Sequence, residues 1–303
     1  MLDMDVLRRT KLCMDTVVDI QIVVRDEEEM DQAEIGMNRA FEAFRKIELA
    51  CSRFSPDSEL MKACRETGTP VQVSPFLFEP IRFAVELAAW TEGVFDPTIG
   101  KIMDKHGFNR HYLTGERLNS RSADSVTYRD IVLNARDRTL LLHKRLVIDL
   151  GAVAKGFAID LAASELKAFP GFIINAGGDL YAGGMDKQGE PWKIGIRHPL
   201  HKERSIQVIE VSGQAVCTSG SYERRSANQA GMHHIINPVS ESSPNDWISC
   251  TVIAPYAMQA DAFSTASFLL GTEGGKTLIT QAELQGIWIT PDLQIDTAGR
   301  EEA

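Results

Sequence analysis

Apolar residues recur at helical spacing through Met258-Gln-Ala-Asp261-Ala-Phe-Ser264-Thr265-Ala-Ser-Phe-Leu-Leu270-Gly271, which predicts a helix closed by Gly271. Other stretches follow the same logic. Thr16 to Val24 is a β-branched run and reads as a strand. The acidic turn Asp26-Glu-Glu-Glu29 opens an amphipathic helix to about Ala50, with Ile35, Phe41, Phe44 and Ile47 as its apolar positions. Pro75 to Thr91 reads as a second helix ended by Gly93, and residues 104–127 read as a polar surface excursion.

From Tyr128 the pattern shortens to strands at Ile131–Leu133, Leu140–His143 and Leu146–Leu150, with a hairpin turn at Arg136-Asp-Arg138. A helix over Val153–Ala168 follows, then a strand at Phe172–Ile174. Trp192–Arg197, Ser205–Val211 and Ala215–Thr218 continue as an antiparallel meander. Thr251–Ala254 precedes the Asp261 helix, and Gly286–Thr290 is a last short strand. Hairpin-linked strands with three or four helices predict an α+β fold, not a doubly wound parallel sheet.

The chain has 303 residues, 44% hydrophobic and 24% charged, which is ordinary for a globular protein with a large core. Its net charge of −10 argues against nucleic acid or an anionic membrane as the main partner. No apolar run has the ~20 residues of a membrane span. The start of the chain, Met1 to Cys13, lacks the apolar core of a signal peptide. Cys13, Cys51, Cys64, Cys217 and Cys250 show no Cys-x-x-Cys spacing, so neither a zinc site nor a disulfide framework is expected, and the default setting is a reducing cytoplasm.

Candidate chemistry lies in a few short segments. Asp261 and Thr265 are one helical turn apart and share a face. They are either a capping Asp and a backbone-bonded Thr, or two hard oxygen ligands suited to Mg2+. Asp149-Leu-Gly-Ala152-Val-Ala-Lys155-Gly156 is a glycine-flanked strand-to-helix junction, which aims backbone N–H groups and one cation at an anion. It lacks the Gly-Lys-Ser/Thr of a P-loop. Gly275-Lys276-Thr277 is rejected as one, because it follows a helix and Leu270 stands where the first glycine belongs.

Asn175-Ala-Gly177-Gly178-Asp179 fits a tight hairpin or a close approach to a planar ligand. Phe95-Asp96 fits a capped turn or a ring-stacking, hydrogen-bonding pair. Thr218-Ser-Gly220 fits a turn or a polar rim. His233 and His234 at a strand start point to opposite faces, leaving one as a general base or both as edge residues. The other histidines show no metal-ligand spacing.

In order, these segments resemble the ApbE family of FAD:protein FMN transferases. The matching residues are Phe54 within Ser52-Arg-Phe-Ser-Pro-Asp-Ser58, Gly93-Val-Phe-Asp-Pro97, Asp149 to Gly156, Asn175 to Asp179, Trp192 to Arg197, Thr218-Ser-Gly220, His234-Ile-Ile-Asn-Pro238 and the Asp261/Thr265 helix. The resemblance spans residues 12–290, leaving 1–11 and 291–303 as terminal extensions of a single domain. It implies two intimately joined subdomains of mainly antiparallel sheet and packed helices, with FAD in the cleft between them. It also implies a Mg2+ held by the Ala152 carbonyl, Asp261 and Thr265. FAD contacts would fall on Met14, Phe54, Val94, Phe95, Asp96, Asp149, Lys155 and Ile235, and the catalytic histidine would be His234.

The implied reaction moves FMN from FAD to a Ser or Thr hydroxyl of an acceptor flavoprotein and releases AMP. A Mg2+-dependent FAD pyrophosphatase and a non-catalytic FAD-binding protein are the alternatives. The chain departs from the family pattern at Asp15 (for Gly), Phe54 (often Tyr), Asn237 (for Asp) and Val239-Ser240-Glu241 (for a basic residue, Thr and Gly). It resembles the cytoplasmic minority of the family.

Overall fold

The structure, a computed structural model, describes residues 4–110, 115, 117–118, 122–226, 229 and 231–299. Part of the stretch 104–127, read as a surface excursion, lies outside the described residues.

The main lobe is an eight-stranded sheet. Its strands, in chain order, are β1 (Asp5–Cys13), β2 (Thr16–Val24), β6 (Gly171–Ala176), β7 (Asp179–Gly184), β10 (Gln214–Gly220), β11 (Ser249–Ala254), β12 (Gln285–Ile289) and β13 (Ile295–Gly299), and they lie side by side in that order. Every neighbouring pair is antiparallel. Strand alternation sends one set of side chains to each face. Ala215, Cys217, Cys250 and Val252 join the larger core, whereas Val216 and Ile253 join the smaller.

Helices α1 (Glu27–Cys51), α5 (Ala154–Ser164) and α6 (Ala257–Gln281) pack on the first face, and the hairpin of β8 (Trp192–His198) and β9 (His201–Val211) covers the second. A smaller lobe holds α2 (Glu59–Ala63), α3 (Pro75–Trp90), α4 (Gly100–Lys105) and a three-stranded sheet of β3 (Val71–Gln72), β5 (Thr139–Leu142) and β4 (Ile131–Asn134). The α+β class and the antiparallel sheets are as the sequence predicts.

The N-terminus of α1 is capped as expected, with the Asp26 carboxylate accepting from Glu29 N at 2.9 Å behind three acidic first-turn residues. Its buried stripe contains Met37, Phe41, Phe44 and Ile47, but Ile35 faces solvent at 55% exposure.

Several expectations need correction. Leu146–Leu150 is buried extended chain without a strand partner: its backbone is held from the loop side, with Asp149 N donating to Pro97 O at 2.7 Å. Gly271 breaks the helix at φ 71°, but a second helical segment continues to Gln281, so it acts as a kink inside α6. The segments read as terminal extensions supply both edge strands, β1 and β13. His233 and His234 lie in an irregular segment, where His233 makes only an isolated bridge with Arg225.

Candidate functional site

Gly156 brings helices α5 and α6 together. A Cβ at this position would sit 2.3 Å from the Ala257 carbonyl oxygen and 2.6 Å from Met258 Cα, so only glycine lets α5 meet the first turn of α6 backbone to backbone. At that contact Gly156 N donates to the Asp261 carboxylate at 3.1 Å. In a continued helix this N–H would bond the Ala152 carbonyl. Here it turns to Asp261, and among the described residues nothing donates to the Ala152 carbonyl.

Asp261 is buried at 5% exposure. Burial raises its carboxyl above the usual carboxylate range, opposed by the nearby positive charge of Lys155, the Gly156 N–H and Arg224. One turn on, Thr265 Oγ1 lies 2.9 Å from Ser219 Oγ, which also meets Ser264 Oγ at 2.8 Å. β10 thereby fixes the polar face of α6.

Lys155 forms an ion pair with Asp179, the first residue of β7. The other oxygen of Asp179 accepts from Thr218 N at 2.9 Å. The Asn175–Asp179 segment is a hairpin turn with Gly177 and Gly178 at φ 67° and 107°. Asn175 Oδ1 braces the turn by accepting from Gly178 N at 2.9 Å. A Cβ on Gly177 would meet Thr16 Oγ1 at 2.3 Å, so the β6–β7 turn packs tightly on the β1–β2 turn that carries Met14. Met14 and Asp15 both take positive φ there, 51° and 58°. Met14, Lys155, Asp179, Thr265 and Asp261 are thus brought to one end of the main sheet.

A second cluster centres on Arg53, buried at 4% exposure. Its guanidinium bonds Asp149 at 2.7 Å, Asp104 at 3.0 Å and the Phe108 carbonyl, and lies 4.6 Å over the Phe54 ring. Asp149 also accepts from Gly151 N at 2.8 Å, which ties this cluster to the turn before α5. The Phe108 ring meets the His234 ring edge-on at 6.5 Å.

His234 Nδ1 is buried with no hydrogen-bond partner among the described residues. Burial, reinforced by the charge of Arg224, pushes its pKa down to about 3, so the imidazole is neutral at neutral pH. Its neighbour is a packing residue: His233 Nε2 meets the Pro244 carbonyl at 2.9 Å and the ring rests edge-on against Phe268. The two histidines thus have different surroundings, His233 beside Pro244 and Phe268 and His234 beside Phe108.

The Gly93–Pro97 loop is held differently. The Phe95 side chain is in the core at 5% exposure. Asp96 is fully engaged with Thr98 N and Oγ1, both at 2.8 Å, and with Tyr128 N at 2.9 Å. Val94 packs half-buried on the core, and Ile235 is buried at 4% exposure. A ligand along this loop therefore meets backbone more than side chain. A cleft of about 620 Å³ runs beside it, lined by Gly93, Asp96, Lys105, Tyr128 and Val239, and Lys105 pairs with Glu241 at its rim. The cleft lining does not include Asp261, Lys155 or His234.

The oxygens that the resemblance assigns to Mg2+ are of the hard type a divalent cation takes. Asp261 supplies a buried carboxylate with one N–H donor, Ala152 a carbonyl without a donor, and Thr265 a hydroxyl. Among the described residues no three His, Cys, Asp or Glu side chains converge on one point.

Pattern reading gave no role to Arg53 or Asp160, and took Asp179 only as the end of the Asn175–Asp179 turn. Asp160 is a charge inside the apolar run Phe157–Ala163, a signal in itself because a buried charge needs a partner. Asp160 accepts from Ala257 N at 2.6 Å and Met258 N at 2.9 Å.

The ApbE family model matches residues 14–288. The chain is 30% identical over 265 residues to the FAD:protein FMN transferase of Vibrio cholerae serotype O1, covering 83% of this chain and 77% of that protein. It is 28% identical over 254 residues to the FAD:protein FMN transferase of Escherichia coli K12, covering 80% and 72%. The crystal structure of an ApbE protein from Thermotoga maritima superposes with a TM-score of 0.84 at 25% identity, covering 97% of each chain. The flavin transferase ApbE from Vibrio cholerae has the same fold, with a TM-score of 0.81 at 23% identity over 97% and 96% of the two chains.

Proposed function

The chain belongs to the ApbE family, and we propose that it is a Mg2+-dependent FAD:protein FMN transferase acting on a Ser or Thr hydroxyl of an acceptor flavoprotein. The observation that carries this reading is the meeting of Asp261, the Gly156 N–H and Lys155 at the α5–α6 contact. A buried carboxylate beside a lysine and the N-terminus of a helix suits a cation-bridged pyrophosphate.

Ala152, Asp261 and Thr265 would hold the Mg2+, which when bound neutralises charge on the pyrophosphate as it breaks. Lys155 and the Gly151–Gly156 turn orient the FMN phosphate. Arg53 presents Phe54 to the flavin and fixes Asp149. The acceptor oxygen attacks the FMN phosphorus, the P–O bond to AMP breaks, and AMP leaves. His234 is the candidate base for the hydroxyl proton. Its ring is neutral at neutral pH, and a nearby pyrophosphate favours the imidazolium formed on accepting that proton. Asp261 makes a poorer base when it ligates a cation, because the cation stabilises its charged form.

The cytoplasm is the proposed setting: the five cysteines are free thiols, and burial pushes Cys64 up to about 11 and Cys250 up to about 12. Among the described residues no helix is long and apolar enough to cross a membrane. The test mixes the protein with FAD, Mg2+ and a flavoprotein fragment carrying a Ser/Thr target. Covalent flavin on the fragment together with AMP supports the transferase. AMP and FMN without labelled acceptor marks a pyrophosphatase, and intact FAD sinks both.

A further inference from the structure

Helix α6 begins without a cap of its own. Its N-cap residue, Tyr256, makes no side-chain hydrogen bond to the first turn. A helix start leaves its first N–H groups without internal partners. Two of them are satisfied from another helix: Asp160, on α5, accepts from Ala257 N at 2.6 Å and Met258 N at 2.9 Å, one oxygen to each. One turn earlier on α5, Gly156 donates its own uncommitted N–H to Asp261, one turn into α6, at 3.1 Å. The two helices therefore cap each other. Gly156 and Asp160 are four apart on α5, as Ala257 and Asp261 are on α6, so each helix contributes one face. No gap separates them, since a Cβ on Gly156 would collide with the Ala257 carbonyl.

We propose that Asp160 is a positioning residue for the cation and pyrophosphate site. It clamps the first turn of α6 to α5 and so sets Asp261 and Thr265 against Ala152 and Lys155. The proposal rests on the metal reading given above. A serine or asparagine at position 256 would cap α6 locally without fixing its register on α5. Asp160 instead spans α6, which carries Asp261 and Thr265, and α5, which carries Lys155 and follows Ala152. It also puts a second carboxylate close enough to Asp261 to feel its charge, an arrangement that costs stability in the empty protein and adds negative potential where a divalent cation would sit. Lys167, Tyr181 and Cys217 are the other ionisable groups that sense Asp160.

The test uses the full chain with Asp160→Asn and Asp160→Glu. Mg2+ is titrated calorimetrically in the presence of ADP, which carries the pyrophosphate without a flavin to transfer. Hydrogen exchange is followed at the Gly156 amide. Loss of a residue that orients metal ligands costs about 10- to 100-fold in affinity, and Asp160→Asn is expected in that range, with Gly156 exchange accelerated at least about tenfold through the weakened α5–α6 contact. Asp160→Glu keeps both acceptor oxygens one methylene out of place. It is expected to stay folded, to weaken Mg2+ less than Asp160→Asn, and to regain part of the Gly156 protection. If Asp160→Asn does not fold, Asp160→Glu decides by the same two readings. Unchanged Mg2+ affinity and unchanged Gly156 exchange in a folded variant overturn the positioning role. A wild-type protein that takes no Mg2+ with ADP overturns the metal reading instead, and Gly156 exchange then still decides whether Asp160 holds Asp261 in place.

Discussion

Lys155 and Asp179 form an ion pair across the α5–β7 contact, and the free oxygen of Asp179 takes the Thr218 N–H at 2.9 Å. The lysine proposed to bind phosphate is thus already tethered, and a bound pyrophosphate has to share it. Asp179 is almost fully buried. Removing one partner of a buried pair leaves an uncompensated charge, which costs about 3–5 kcal/mol. Lys155→Ala should fall near the low end of that range, because its side chain remains 24% exposed. Adding Asp179→Asn should restore most of the stability but none of the FAD affinity. Urea denaturation and FAD titration of the two single variants and the double variant check this. Equal FAD affinity in wild type and the double variant would remove Lys155 from the site.

Gly156→Ala should be more damaging than its size suggests. The new Cβ meets backbone atoms of Ala257 and Met258, which no rotamer change can move aside. Overpacking of this kind costs about 1–3 kcal/mol, and it must part α5 from α6. The expected result is a lower melting temperature together with weakened Mg2+–ADP binding by calorimetry. A variant that melts lower yet binds the metal unchanged would separate the helix contact from the site.

The fold class was legible because strand alternation and helical spacing survive in the sequence of each buried element. α1 announced itself by the acidic opening turn Asp26–Glu29 and by the apolar positions Phe41, Phe44 and Ile47, though Ile35, read with them, faces solvent. β1 did not: most of its positions are exposed or half-exposed on an edge strand, so no apolar period marks it. Leu146–Leu150 misled for the opposite reason. It is apolar because it is buried, and burial alone does not supply a strand partner. The site followed the same division. Lys155, Asp261 and Thr265 sit in short motifs that local pattern reveals. Arg53 reaches Asp104, Phe108 and Asp149, 51 to 96 residues away, and Asp160 reaches Ala257 across 97. Such partners meet only after the chain has folded.

Arg53→Lys should not behave as a conservative change. The guanidinium serves two carboxylates and a carbonyl while lying over Phe54, and a single ammonium cannot reproduce that fork. Leaving Asp149 without its cation should cost about 3 kcal/mol in a site this buried. FAD affinity should fall about tenfold, since Phe54 loses its backing. Mg2+–ADP binding should change less, because Arg53 bonds none of Ala152, Lys155, Asp261 and Thr265. Flavin fluorescence titration compared with ADP calorimetry distinguishes the two effects.

His234 should leave a signature in the pH dependence of stability. Its pKa falls from an ordinary 6.5 to about 3 in the folded protein, first through burial and then through the charges of Arg224, His233 and Lys155. A depressed folded pKa means that the unfolded chain binds the proton more tightly. The contribution is therefore complete above pH 6.5 and is lost as the pH falls from 6.5 toward 3. His234→Gln removes this one proton from the unfolding equilibrium. Between pH 6 and 4 its unfolding free energy should fall less steeply than that of wild type, by up to about 1.4 kcal/mol per pH unit. Parallel curves would show that the ring is not neutral and buried. The same variant should bind FAD but not transfer FMN.

Asp261→Asn separates the charge of the site from its shape. The amide retains an oxygen for the Gly156 N–H, so the α5–α6 contact has what it needs to persist. What disappears is a negative charge that burial disfavours, since the Asp261 carboxyl is raised above its ordinary range despite Lys155 and Arg224 nearby. A raised folded pKa means that ionising the group opposes folding, and that penalty is present at neutral pH and fades as the pH drops through the folded pKa. In EDTA the variant should accordingly melt at or above the wild-type temperature at pH 8, with the difference closing on acidification. With Mg2+ and ADP the order should reverse, because only the carboxylate binds the cation strongly enough to stabilise the folded state by mass action. Thermal melts under the two conditions, run beside the FAD cleavage assay, read both effects. A variant that melts far below wild type in EDTA would mean that Asp261 is chiefly a structural cap. One that still cleaves FAD with Mg2+ would remove Asp261 from the metal site.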